Sequence, residues 1–140
     1  LQTFLPYPSI WRSAQCLDYR RLGKQRVEAK QILNILTGKA KPGKNGKIAW
    51  ENHPAVRMWR GYESCLSLYM NIMIQIWKKR GYKNNMEMER IHIFKTKYPW
   101  WFGDEEFHAS HRANLLRKNY EYYSQFGWTE DPGTGYFWPV

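Results

Sequence analysis

The sequence predicts an all-α fold: a single compact domain, residues 1–140, of three main helices joined by long loops. Three observations lead there. The chain has 140 residues, one domain's worth and enough for a sizeable core. Long stretches carry apolar residues at the spacing of one helical face. Each main stretch also ends on a glycine, Gly38, Gly81 or Gly127, where a helix can close.

Leu1 to Pro8 reads as extended or irregular, because Pro6 and Pro8 discourage helix. The first helix is expected from Ser13 to Thr37, with Ser13 or Asp18 as its cap. Its face is Leu22, Arg26, Ala29, Leu33 and Leu36. Arg26 stands where that pattern wants a core residue, and Gly23 marks a bend or a close backbone approach. Gly38 to Ile48 forms a basic, glycine-rich loop. Pro54 then opens a second helix behind a cap at Asn52 or His53. That helix is expected to run to Arg80, with Trp59, Tyr62, Leu66, Tyr69, Met70, Met73 and Trp77 as its stripe. The methionines read as core filler.

Asn84 to Lys97 admits two readings, a short helix from Asn85 or a strand from Arg90 to Phe94. Tyr98 to Gly103 is an aromatic turn. A third helix is expected from Asp104 to Ser124, with Glu105 and Glu106 facing the positive end of its dipole. Pro132, Gly133, Gly135 and Pro139 make the tail from Trp128 a loop, packed by Tyr136, Phe137 and Trp138.

The net charge of +10 directs attention to an anionic partner, nucleic acid first. Basic residues cluster: Arg20, Arg21, Lys24 and Arg26; then Lys39, Lys41, Lys44 and Lys47; then Lys78, Lys79 and Arg80; then Arg112, Arg117 and Lys118. Aromatic side chains, 17% of the chain, argue against disorder and can stack on extruded bases. Apolar runs are too short to span a bilayer, and no signal-peptide pattern opens the chain. Cys16 and Cys65 alone make neither a disulfide scaffold nor a zinc site. The expectation is an intracellular domain, cytoplasmic or nucleoid-associated, or nuclear in a eukaryotic virus.

Three constellations could carry chemistry. Arg21, Gln25 and Glu28 share a helical face, with Arg26 beside them. A carboxylate held among guanidinium groups stays ionised near neutral pH and can accept a proton or steady a cation. An exposed ion-pair ladder is the plainer alternative for Glu28. His108 and His111, three apart, are neighbours on one face. They suit phosphate or base contacts beside Arg112, or a structural role under a loop. As metal ligands they lack a third partner at a recognisable spacing, so no metal or cofactor is expected. Asn52-His53-Pro54 offers free backbone N–H groups to an anion. Walker, nucleophile-elbow, dinucleotide and zinc-finger signatures are absent from the sequence.

These residues resemble a family. Gln2-Thr3-Phe4-Leu5-Pro6-Tyr7-Pro8, Arg21-Leu22-Gly23-Lys24-Gln25-Arg26-Val27-Glu28 and Asn52-His53-Pro54-Ala55-Val56 carry the likeness. So do Trp59 with Gly61-Tyr62-Glu63, Arg80-Gly81-Tyr82, His108 with Ser110-His111, and Tyr136-Phe137-Trp138-Pro139. Together they are similar to the pyrimidine-dimer DNA glycosylase superfamily of the endonuclease V type, most closely to its bacterial and viral branch. The resemblance implies a DNA repair glycosylase with AP-lyase activity, using an amino-terminal α-amine as nucleophile, here that of Leu1. An α-amine titrates near 8, so a useful fraction is neutral at pH 7. The family's Tyr-Arg-Glu-Leu-Pro-Arg-Val stretch is met by Tyr19-Arg20-Arg21-Leu22 and Arg26-Val27, so its catalytic glutamate falls on Arg21. Glu28, or else Asp18, is expected to substitute.

The expected catalytic set is therefore Glu28, Asp18, Leu1, His53, His108 and His111. Arg20, Arg21, Lys24, Arg26, Arg112, Arg117 and Lys118 are the expected DNA contacts. The expected partner is double-stranded DNA with a lesion or modified base, bound by a monomer. Two other classes compete: a non-catalytic DNA- or RNA-binding module on the same scaffold, and a metal-dependent nuclease built on His108 and His111.

Overall fold

A serine starts the first helix. Ser9 Oγ accepts the Arg12 N–H at 3.1 Å and caps α1, Ile10–Cys16, in the computed structural model, which describes residues 1–91 and 95–140. The expected helix from Ser13 to Thr37 is thus two helices. Leu17 and Asp18 are extended between them, and α2 runs Tyr19–Leu36. The break has a tertiary cause. Asp18 N–H donates to the Tyr123 hydroxyl at 3.1 Å, and that hydroxyl donates to the Asp18 carboxylate. A ladder partner 105 positions away leaves no local trace.

The second expected helix also divides. His53 caps α3, Pro54–Arg57, with Nδ1 accepting the Ala55 N–H at 3.0 Å. The chain then turns through Gly61, whose φ of +88 favours glycine, before α4, Glu63–Lys79. The third divides at Asn119: α5 spans Glu105–Lys118, α6 spans Tyr120–Tyr123, and a 3-10 turn covers Ser124–Phe126. Asp104 caps α5, accepting the Glu106 N–H at 3.0 Å, as its position before two glutamates suggests. No strand occurs among the described residues, so the all-α class holds. Residues 84–91 are not helical, which rules out the helix from Asn85; the alternative strand to Phe94 lies partly outside the described residues.

α4 is the central helix, packed chiefly on α2 and also on α1. Leu66, Tyr69, Met70, Met73 and Ile74 are fully buried on it, each contributing about 1.5–3 kcal/mol. Trp59 and Trp101 meet edge to face at 5.0 Å beside them, and Trp101 packs on Phe107. On α2 the buried face is Leu22, Gln25, Ala29, Ile32 and Leu33. Gln25 therefore takes the core place that the sequence pattern gave to Arg26. Arg26 flanks the core, its guanidinium 4.4 Å from the Trp77 ring centroid. Gly23 is the close approach: a Cβ there would lie 2.9 Å from the Trp77 ring.

The chain before α1 is extended and buried without a neighbouring strand. Gln2 to Pro6 all sit inside, covered by α2, α4 and α5. Further along, Asn71 on α4 holds the irregular segment by copying a peptide. Its Nδ2 donates to Glu89 O at 2.8 Å, and its Oδ1 accepts the Glu89 N–H at 2.9 Å. Asn71→Ala leaves both backbone groups of Glu89 without those partners. Urea unfolding is expected to show a loss of about 2 kcal/mol; a loss within error would assign the segment's docking to other contacts.

Candidate active site

The buried amino-terminal segment ends at a cleft of about 520 Å³. Leu1, Gln2 and Phe4 line one side. Arg20, Arg21 and Lys24 from α2, with Lys118 from α5, make the rest strongly cationic. Glu28 is its carboxylate, and Gln25 and Tyr136 complete the lining.

Glu28 is placed by Gln25. Gln25 Nε2 donates to Glu28 Oε2 at 2.7 Å, while Gln25 Oε1 accepts the Phe4 N–H at 2.7 Å. The Tyr69 hydroxyl lies 2.6 Å from the same Oε1 and 3.0 Å from the Phe4 carbonyl. One buried amide therefore joins the carboxylate, the amino-terminal segment and α4. The carboxyl pKa of Glu28 is raised, by burial first. The chain's amino group, Lys24, the Gln25 bond and Lys118 pull it the other way. The expected arginine clamp is not what surrounds it: Arg21 pairs with Asp18 at 3.3 Å instead. The result is a half-buried acid facing an amine and two lysines, suited to holding or releasing a proton.

Burial lowers the Lys118 ammonium, and repulsion from Arg21, Arg117 and Lys24 lowers it further. Cations this crowded gain from an incoming anion, and phosphate oxygens have the right charge and acceptor geometry. Arg26 lies outside the main cleft but shares a shallower hollow with Glu28, Arg20, Lys24 and Trp77. It donates to Asn84 Oδ1 at 2.6 Å.

Several expected site residues are elsewhere. His108 and His111 are fully buried and do not reach the cleft. His111 Nδ1 accepts the Leu5 N–H at 2.9 Å, and His108 Nδ1 lies 2.6 Å from Leu5 O. His108 Nε2 accepts the Gly103 N–H at 2.9 Å, so its Nδ1 is the donor and neither nitrogen remains for a metal. Among the described residues no group of three histidine, cysteine or acidic side chains could hold a metal ion. Arg112 is buried rather than offered to DNA. It donates to Pro6 O at 2.8 Å, to Glu130 at 3.0 Å and to Glu105. Asp18 is engaged by Tyr123 and Arg21 and does not line the cleft. Arg117 is exposed but bonded to Asn114 and to the Pro132 carbonyl. His53 caps α3 outside the cleft lining, although its pKa is lowered by burial and then by the chain's amino group.

Gln2, Phe4 and Tyr136 line the cleft without standing among the expected site residues, and Gln25, expected only on a shared face with Arg21 and Glu28, is what holds Glu28. Gln25 left a signal, an amide on an apolar stripe one position before the conspicuous Arg26.

Compared with known proteins, residues 1–90 match the family model described as pyrimidine dimer DNA glycosylase. That stretch carries Leu1, Arg20, Arg21, Lys24, Gln25 and Glu28. No curated protein and no solved structure matches the chain.

Two outcomes follow from the buried polar groups. Gln25→Leu strands the Phe4 N–H and frees Glu28, and is expected to cost about 2 kcal/mol in urea unfolding. The histidines set an acid limit. Burial pushes His111 down to about 3 and lowers His108, so the fold keeps both neutral. The unfolded chain takes up these protons near 6.5, so their stabilisation is complete above that pH and drains away as pH falls toward 3. Glu28, raised in the fold, acts in the opposite sense. Unfolding at pH 7 and pH 4 should differ by about 3 kcal/mol through His111. His111→Asn, whose Oδ1 can replace Nδ1 as acceptor, should flatten that slope; an unchanged slope would place the titration elsewhere.

Proposed function

Because the chain belongs to the pyrimidine dimer DNA glycosylase family, we propose that this cleft releases a damaged pyrimidine base from duplex DNA and cleaves the abasic site that remains. The observation that carries the reading is Glu28, held by Gln25 in a cation-lined cleft that Leu1 also lines, where the proposed nucleophile is an α-amine. Duplex DNA is the partner whose charge the cleft fits. Arg20, Lys24 and Lys118 bind phosphates and Arg21 stiffens the rim, so affinity falls with salt.

In the chemical step, the neutral amine's lone pair forms a bond to the sugar C1′. The glycosidic electrons leave with the base, which takes up a proton. Loss of the amine proton and opening of the sugar ring give an imine. Glu28, when ionised, steadies the positive charge that develops on the sugar and nitrogen. It can also accept the C2′ proton whose loss expels the 3′ phosphate. No cofactor enters this scheme. Tyr136 supplies flat surface against an extruded base or sugar.

Glu28→Gln keeps an acceptor for Gln25 and removes the charge. Base release from ultraviolet-irradiated duplex is expected to fall about 100-fold or more, with binding and fold retained. Borohydride should trap a covalent protein–DNA adduct when Leu1 carries a free α-amine, and far less when residues precede it. Release without trapping would leave a water-using glycosylase. Neither release nor nicking by the unaltered protein would leave a DNA-binding module.

A further inference from the structure

The loop between α2 and α3 is unused by the scheme above. It carries Lys39, Lys41, Lys44 and Lys47, all exposed, against one acid, Glu51. The loop is folded on itself. Gly43 N–H donates to Lys47 O at 2.9 Å, Gly46 N–H to Gly43 O at 2.9 Å, and Lys47 N–H to Asn45 Oδ1 at 3.0 Å. Its last turn presents Trp50, 53% exposed. Among the described residues Trp50 alone is a non-glycine at positive φ, 67°. A bulky aromatic in the left-handed region costs free energy, and an indole left half in water recovers little of it. Folding alone gives no reason for tryptophan here.

Its location gives one. The Trp50 ring packs edge-on against His53 at 5.5 Å, His53 against Trp138 at 5.7 Å, and Trp138 against Tyr136 at 5.4 Å. Tyr136 lines the cleft. The turn is fixed by His53 N–H donating to Trp50 O at 2.9 Å. A packed chain of rings thus connects the exposed indole to the cleft wall through three ring contacts.

We propose that Trp50 is a wedge that enters the base stack of duplex DNA beside the lesion, with Lys44 and Lys47 on the flanking phosphates. The proposal rests on the DNA-directed reading of the cleft and assigns that reading a second contact. Apolar wedges unstack a base step and kink the duplex, and the lysines supply the sequence-independent hold. Unstacking beside the lesion lowers the cost of turning the damaged nucleotide into the cleft.

The probe is a duplex with a tetrahydrofuran abasic analogue flanked by 2-aminopurine, which fluoresces when unstacked. The full chain should raise the fluorescence severalfold on binding. Trp50→Gly should abolish the rise and weaken preference for the lesion duplex by roughly tenfold. It should melt no lower than the parent, because glycine adopts this φ freely. Trp50→Phe should keep most of the rise. Lys44→Gln with Lys47→Gln should lower the salt slope by about two while leaving the rise at saturation.

A full rise with Trp50→Gly, or binding by the parent without any rise, overturns the wedge. Base release from irradiated duplex separates the two readings. Release with a full rise in Trp50→Gly removes only the wedge. A rise that needs Trp50 in a protein that releases no base removes only the glycosylase.

Discussion

An extended segment buried without a sheet partner has no ladder for its peptide groups, and each unpaired group costs free energy. Residues 3–6 face that constraint, and side chains from distant elements meet it. Gln25 accepts from Phe4, Tyr69 reaches the Phe4 carbonyl, His111 and His108 take the two sides of Leu5, and Arg112 donates to Pro6. Trp59 Nε1 donates to Thr3 Oγ1 at 2.9 Å and holds the segment from below. Much of the buried polarity in the domain exists to keep this one strand-like piece in place.

The same requirement, with the tail bonded by Ser110 and Asn114, explains why α5 has no clean apolar stripe. Its buried residues include His108, Ser110, His111, Arg112 and Asn114, spread around the helix. The histidines must be neutral to do this work, one as acceptor and one as donor and acceptor, and burial keeps them so. A segment pinned at nearly every residue presents its first residues to the cleft in one arrangement. Glu28 shares the Gln25 amide with that segment, so the carboxylate and the amino-terminal segment are positioned by a single buried group rather than by two independent loops.

The helical class and the glycine closures were legible because they depend on local pattern. The breaks were not. Asp18 stops a helix because Tyr123 takes its N–H, and Asn119 divides another where its own side chain accepts the Tyr122 N–H. Glu28, Arg20, Lys24 and Lys118 were legible as members of a charged face, since unpaired charge has few other uses. His108, His111 and Arg112 misled for the opposite reason. Polar side chains at helical spacing look alike whether they face solvent or a buried peptide, and only the path of residues 3–6 tells them apart. Gln25 stood on the expected face with Arg21 and Glu28, but an uncharged amide gives no sign in the sequence that it bonds both the carboxylate and Phe4.

The cations sort by the same logic. Arg112 meets Glu105 and Glu130, Lys30 meets Glu89, and Arg21 meets Asp18. These pairs remove local field where the fold needs neutrality. Lys24 and Lys118 stand against Glu28 alone, and Arg20 bonds only a tyrosine hydroxyl among the contacts described. Part of the surplus positive charge therefore gathers at the cleft that the amino-terminal segment lines. Buried or paired charges contribute little to steering, whereas an uncompensated cluster at a concave site draws a polyanion and orients it.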